Sequence, residues 1–238
     1  MLLEKILQSQ GVGSRKYCQQ LIKSGAVTVQ QEICLDPKAK FNVHNLNFAI
    51  HGESHLYREK VYIALNKPQG YECSHQAQYH ISVFELFPEL LLNRGLQCVG
   101  RLDQDTTGLL LLTDDGQFLQ ALTHPRKHVA KVYQLTTADP VTLGQIRQLQ
   151  EGVELRNDGI VKASEVQQTA THQLSLTIHQ GIYHQVKRML AAVGNRVETL
   201  HRSKIGELEL PELKEGEWLY LNPAQIEQAK TRIPLQGF

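Results

Sequence analysis

Apolar positions set the first elements of the chain. Leu3, Ile6 and Leu7 fall at helical spacing, and Gly11 and Gly13 close that run. Ser14 then offers an N-cap oxygen to a second helix, whose apolar stripe is Cys18, Leu21 and Ile22 and whose end is Gly25. The run Ala26-Val27-Thr28-Val29 is β-branched and predicts a short strand. A polar stretch without periodicity, including His51-Gly52-Glu53-Ser54-His55, continues to Lys60 before Val61-Tyr62-Ile63-Ala64-Leu65 reads as a buried strand. That change of pattern predicts a boundary after Arg58, with domains at 1–58 and 59–238.

Beyond the boundary the pattern predicts strands at 62–65, 109–112, 131–136 and 174–178, and helices at 117–122, 141–150 and 183–193. In the last helix Val186, Met189, Leu190 and Val193 recur at i, i+3, i+4 and i+7 and predict a packed face. His184, Lys187, Arg188 and Ala191 share another face, a cationic stripe able to admit a phosphate backbone. Thr113-Asp114-Asp115-Gly116 is a turn into a helix rather than a nucleotide-binding glycine fingerprint. The expected class is α+β, a small α/β front domain followed by a mixed, mainly antiparallel sheet with helices. No repeat interrupts it.

Composition narrows the class further. The chain has 238 residues, 41% hydrophobic and 21% charged, enough apolar material for a sizeable core and too little charge for disorder. No apolar run approaches the roughly 20 residues of a membrane span, and Met1-Leu2-Leu3-Glu4-Lys5 does not open like an export signal, so a cytoplasmic protein is expected. Cys18, Cys34, Cys73 and Cys98 contain no Cys-x-x-Cys pair and read as reduced thiols. His51 and His55 lack a third ligand beside them, so no metal is expected.

The formal net charge is only +1, so any affinity for a polyanion has to come from local patches. Two exist. Residues 1–58 carry seven Lys or Arg against four Asp or Glu, with Arg15, Lys16 and Lys23 on or near the exposed side of the second helix. Residues 183–204 carry Lys187, Arg188, Arg196, Arg202 and Lys204 against Glu198, whereas 205–238 carry six acids and three bases.

The segment richest in chemistry is Gly100-Arg101-Leu102-Asp103-Gln104-Asp105-Thr106-Thr107-Gly108, which runs into Leu109-Leu110-Leu111-Leu112. Polar groups bounded by glycine at the edge of a buried strand can form a site, or a turn in which Asp105 and the threonines cap their own backbone. A metal-dependent nuclease built on Asp103 and Asp105 with Asp114 or Asp115 is one alternative. A non-catalytic RNA-binding or assembly factor using the basic surfaces alone is another.

Two resemblances bear on this choice. Ser14-Arg15 opening a helix, Leu21-Ile22-x-x-Gly25-x-Val27-x-Val29 and then Asp36-Pro37 resemble the S4 RNA-binding module, with Leu2 and Glu4 where the family usually has Arg and Asp, and Gln30-Gln31 in place of Asn-Gly. Leu65-Asn66-Lys67-Pro68-x-Gly70, the Arg101-Leu102-Asp103 segment, Lys131-Val132-Tyr133, Gly181-x-x-His184-Gln185-Val186-Lys187-Arg188-Met189-Leu190, Leu200-x-Arg202 and Ile205-Gly206 resemble the RsuA/RluA-type pseudouridine synthases. His-Gln-Val-Lys-Arg-Met and the S4-like front end point to the RsuA branch; the large-subunit relatives usually show Arg where this chain has Lys187.

The resemblance implies a set of roles. Asp103 is the nucleophile or electrostatic stabiliser that breaks the uridine N1–C1′ bond, and Lys187 is the cation that keeps it ionised. Arg101 occupies or tolerates the space left by a flipped uridine, Tyr133 stacks on the base and Leu200 forms the opposite apolar wall. Arg15, Lys16, Lys23, Arg188 and Arg202 are expected to contact RNA. Taken singly, Lys187 could equally be a surface lysine, Tyr133 a core residue and Arg101 a salt-bridged loop arginine. The product is an isomer, so no cofactor is expected. The implied partner is 16S ribosomal RNA or a small-subunit assembly intermediate, the implied target uridine 516, and the implied state a monomer. A 23S ribosomal RNA target is the alternative.

Overall fold

The structure is a computed structural model and describes residues 1–124 and 127–232. The chain divides into two compact units, Met1–Val61 with Phe87–Gln97, and Tyr62–Leu86 with Cys98–Phe238.

In the first unit the helices Leu3–Ser9 and Arg15–Lys23 precede an antiparallel sheet of order Glu32–Ile33, Val27–Val29, Asn47–Ile50, Glu53–Leu56. Ser14 caps the second helix, its hydroxyl accepting the Tyr17 N–H at 3.3 Å. Gly25 ends it in left-handed backbone at φ +79°. Leu3, Ile6, Leu7, Cys18 and Ile22 are wholly buried against Val27 and Phe48, so the apolar stripes make the core they predict. The segment Phe87–Gln97 joins this unit through long-range bonds. The Arg94 guanidinium donates to Gln10 Oε1 and to the carbonyls of Arg58 and Glu59, and the Asn93 amide donates to Gly11 O. A boundary drawn from local pattern misses this excursion because the bonds that tie it to the first unit join residues 35 to 84 positions apart.

The second unit is built on one mixed sheet. Its order is Glu165–Ala170, Gln173–Ile178, Lys131–Thr137, Val197–Ile205, Thr106–Thr113, Tyr62–Lys67, Trp218–Tyr220. Every neighbouring pair along it is antiparallel except Val197–Ile205 with Thr106–Thr113, which is parallel. The helices are Gly116–Thr123, Leu143–Glu151, Gln185–Ala192 and Pro223–Lys230. Leu109, Leu111, Phe118, Ile205 and Leu208 anchor the core on one side of the sheet. The class is α+β, as the pattern predicts.

Several strands escape the sequence pattern, and two of them do so for evident physical reasons. Glu165–Ala170 is almost wholly exposed, so it lacks alternating apolar residues. Val197–Ile205 does alternate, but one of its inward positions is Arg202, which hides the period among basic residues. This strand approaches its parallel neighbour at Gly108, which faces Arg202 in register. Gly108 has φ +99°, and a Cβ there would collide with the Arg202 carbonyl oxygen, so glycine is what permits the junction.

Candidate active site

The acidic loop is held by a buried lysine. Lys67, at the end of the strand Tyr62–Lys67, has no exposed surface, and its ammonium donates to the carbonyls of Pro68 (3.0 Å), Gln104 (3.3 Å) and Thr106 (2.9 Å). Gly70 N–H bonds the same Gln104 oxygen at 2.7 Å, and Thr106 N–H closes a turn on Asp103 O at 3.1 Å. Burial pushes the Lys67 amine below its ordinary range, opposed by attraction to Cys73, Asp105 and Asp103. The motif Asn66-Lys67-Pro68-x-Gly70 is therefore a clamp on the segment that carries Asp103. Cys73 adds to the clamp, its sulfur accepting the Leu102 N–H at 3.4 Å. The hydrogen bond from Cys98, helped by that N–H and by Lys67, outweighs burial and brings the Cys73 thiol down to about 7.

Asp103 faces a cleft of about 320 Å³ whose walls include Arg101, Lys131, Tyr133, Lys187 and Leu200. Its Oδ2 lies 3.0 Å from Lys187 Nζ and its Oδ1 lies 3.3 Å from His184 Nε2. His184 caps the helix Gln185–Ala192 in left-handed backbone, φ +52°, and its ring stacks on Tyr183. Lys187 also reaches Asp105 Oδ1, at 2.6 Å. Burial is the largest single influence on both Asp105 and Lys187 and opposes their charge, but their mutual hydrogen bond, the bond from Lys187 to Asp103 and the attraction among these charges together outweigh it. The Asp105 carboxyl is held below its usual range and the Lys187 amine above.

Tyr133 and Leu200 are 7% exposed and line the cleft from adjacent strands, so both stand where a base could be enclosed. Arg101 is exposed at the cleft and makes no ion pair among the described residues. Arg15, Lys16 and Lys23 lie on the exposed side of the first unit's second helix, with Arg15 tied at 2.7 Å to the buried Glu4.

Two expected RNA contacts need correction. Arg202 does not face outward: it is 2% exposed, donates through Nε to Leu109 O at 2.8 Å and lies 3.4 Å from the Tyr133 hydroxyl. It forms part of the cleft floor, because strand alternation turns it inward beside Leu200. Arg188 is committed too. Its guanidinium holds Asp158 Oδ2 and the Arg156 carbonyl, both at 2.7 Å, so the cationic stripe on its helix is not a free surface.

Two cleft residues, His184 and Lys131, escaped sequence reasoning as chemistry, and so did Asp105 beside the cleft, which reads from sequence as a turn cap or a metal ligand. Burial, with Arg202 nearby, lowers the Lys131 amine to about 8. The arrangement also disfavours the metal reading. The Lys187 ammonium occupies the position between Asp103 and Asp105, while Asp115 caps the helix Gly116–Thr123 and accepts the Tyr62 hydroxyl. Among the described residues no group of three His, Cys, Asp or Glu side chains is gathered for a metal.

The cleft can hold a flat ring against Tyr133 and Leu200 with an ionised carboxylate at its edge. Residues 61–192 match the family model described as RNA pseudouridylate synthase, and residues 1–45 match the S4 domain. The chain belongs to the RNA pseudouridylate synthase family. This synthase is 38% identical over 237 residues to ribosomal small subunit pseudouridine synthase A of Vibrio vulnificus (strain CMCP6), a match covering 95% of this chain and 98% of the relative. It is 39% identical over 211 residues to the protein of the same name from Haemophilus influenzae (strain ATCC 51907 / DSM 11121 / KW20 / Rd), covering 88% and 85%. A crystal structure described as pseudouridylate synthase superposes with a TM-score of 0.68 at 36% identity, over 96% of this chain and 99% of that one. The synthase is an enzyme that isomerises uridine to pseudouridine in RNA. Among the described residues no helix is long and apolar enough to cross a membrane.

Proposed function

We propose that this synthase acts in the cytoplasm, as a monomer, on 16S ribosomal RNA or an assembling small subunit, with uridine 516 as its target and Asp103 as the catalytic group. The observation that carries the catalytic assignment is the Asp103 carboxylate at the cleft, 3.0 Å from the Lys187 ammonium. The small-subunit activity named for the relatives supports that target, as does the run His184-Gln185-Val186-Lys187-Arg188-Met189.

A uridine stacked in folded RNA cannot present C1′ to a carboxylate, so it is extruded, at a cost of a few kcal/mol. Arg101 at the mouth takes up the vacated space. Stacking on Tyr133 returns roughly 1 to 3 kcal/mol, and Leu200 closes the other side. Asp103 then acts at C1′ and the N1–C1′ electron pair leaves with the uracil. The base turns within the cleft, C5 bonds to C1′ as any C1′–O bond to Asp103 breaks and returns its electron pair to the carboxylate, the C5 proton passes to water, and N1 takes up a proton from water. The product is an isomer of the substrate, so the proposed chemistry consumes no oxidant and no group donor. Fixed charge and orientation lower the barrier. Arg15, Lys16 and Lys23 hold the RNA by its phosphates.

The test uses ribosomal RNA labelled with tritium at uridine C5. The wild-type chain releases tritium to water, and Asp103→Asn abolishes release while keeping RNA affinity. Release at the wild-type rate from Asp103→Asn overturns the assignment of Asp103. Pseudouridine mapping in cells lacking the protein tests the target, and loss at a 23S position instead would move it to the large subunit.

A further inference from the structure

We infer that Asp105 is a positioning residue of the reaction, holding the Lys187 ammonium in place while Asp103 is engaged with the substrate. The inference rests on the proposed role of Asp103. Its starting point is an asymmetry: Lys187 lies closer to Asp105, at 2.6 Å, than to Asp103, at 3.0 Å.

An ammonium has three N–H donors and can serve both carboxylates at once. With a uridine bound, an oxygen of Asp103 is drawn toward the electron-poor C1′, whether it forms a C1′–O bond or only stabilises charge there. In the bonding route the oxygen supplies the electron pair for C1′–O and the N1–C1′ pair departs with the base. The negative charge then moves from Asp103 to the uracil. Either way the attraction between Asp103 and Lys187 weakens at the moment the cation is needed beside the reacting atoms. A flexible lysine with only that one partner would swing toward water. Asp105 takes no part in bond making and keeps its charge throughout, so Lys187 stays fixed.

The surroundings fit this division. Asp105 is the more exposed of the two carboxylates, with 45% of its side chain accessible against 26% for Asp103, so it sits on the solvent side of the ammonium. The other titratable groups facing the pair are His184, 3.3 Å from Asp103, and the buried Lys67, whose three carbonyl bonds fix the loop from beneath. Neither contacts Lys187, which leaves Asp105 as its second anchor.

The experiment is a double-mutant cycle in single-turnover tritium release, with Asp105→Asn, Lys187→Met and the pair. Asp105→Asn is isosteric and partly exposed, so it should fold. It is expected to slow turnover about 10- to 100-fold with little change in KM. In the Lys187→Met background it should change nothing, and Asp105→Glu should recover most of the loss. Independently of activity, the Lys187 amine followed by ¹³C NMR in the resting protein should titrate about one unit lower in Asp105→Asn. Wild-type turnover in Asp105→Asn, an equal loss in both backgrounds, or an unmoved Lys187 midpoint overturns the inference. Failure of the synthase reading would look different: the wild-type chain itself would release no tritium.

Discussion

The helix Arg15–Lys23 of the first unit and the cleft of the second use most of their cations in opposite ways. In the first unit Lys16 and Lys23 stand in water on one helix face, and Arg15 is 63% exposed even while bonded to Glu4. In the second, Lys67 and Arg202 are buried, Lys131 and Lys187 line the cleft, and each is aimed at a carbonyl or carboxylate oxygen. Counting charge along the chain treats these groups alike. An exposed cation attracts a polyanion over a Debye length and is weakened by salt, whereas a buried one fixes geometry and is costly to leave unpaired.

Three measurements test that contrast, in order of expected effect. Lys67→Met removes the ammonium shared by three carbonyls, of which Gln104 O keeps the Gly70 N–H, and should destabilise the protein by about 3 kcal/mol or more, with loss of turnover. An unchanged urea midpoint would show that the clamp is dispensable. Lys131→Met should act through pH. The folded-state amine titrates near 8 and the unfolded one near 10.5, so across that window the unfolded chain binds more protons and wild-type stability rises with pH. The variant should lose that rise between pH 8 and 10, measured by urea unfolding; a parallel slope in both proteins would contradict a buried amine. Lys16→Gln with Lys23→Gln should have the smallest effect, reducing the dependence of log affinity on log salt by roughly 0.7 to 0.9 per lost phosphate contact. Turnover at saturating RNA should remain at the wild-type level, and a defect there would place these lysines in the second group.

The elements best read from sequence are those whose burial follows one local period. The helices at the N-terminus, the strands around Ile63, Leu110 and Leu176, and the cap at Ser14 all carry their own signal. Asp103, Tyr133, Lys187 and Leu200 were named from motif resemblance, and the fold gathers them in one cleft. What stayed hidden depends on partners distant in sequence. Arg202 reads as surface charge until Leu109 O is known to face it, and Arg188 until Asp158 does, while Lys67 reads only as one residue of a motif until the carbonyls of Gln104 and Thr106 close around it. Asp105 looks like a turn residue for the same reason, since its cation comes from 82 positions away.

The parallel junction at Gly108 has a consequence for biosynthesis. Asp103 leaves the translating machinery nearly a hundred residues before the strand Val197–Ile205, which brings Leu200 and Arg202. Until that strand docks, the nascent polypeptide carries the Asp103 carboxyl group in a cleft that lacks the wall and floor supplied by Leu200 and Arg202. The cleft is thus walled only once that late strand has been made and has docked beside Gly108.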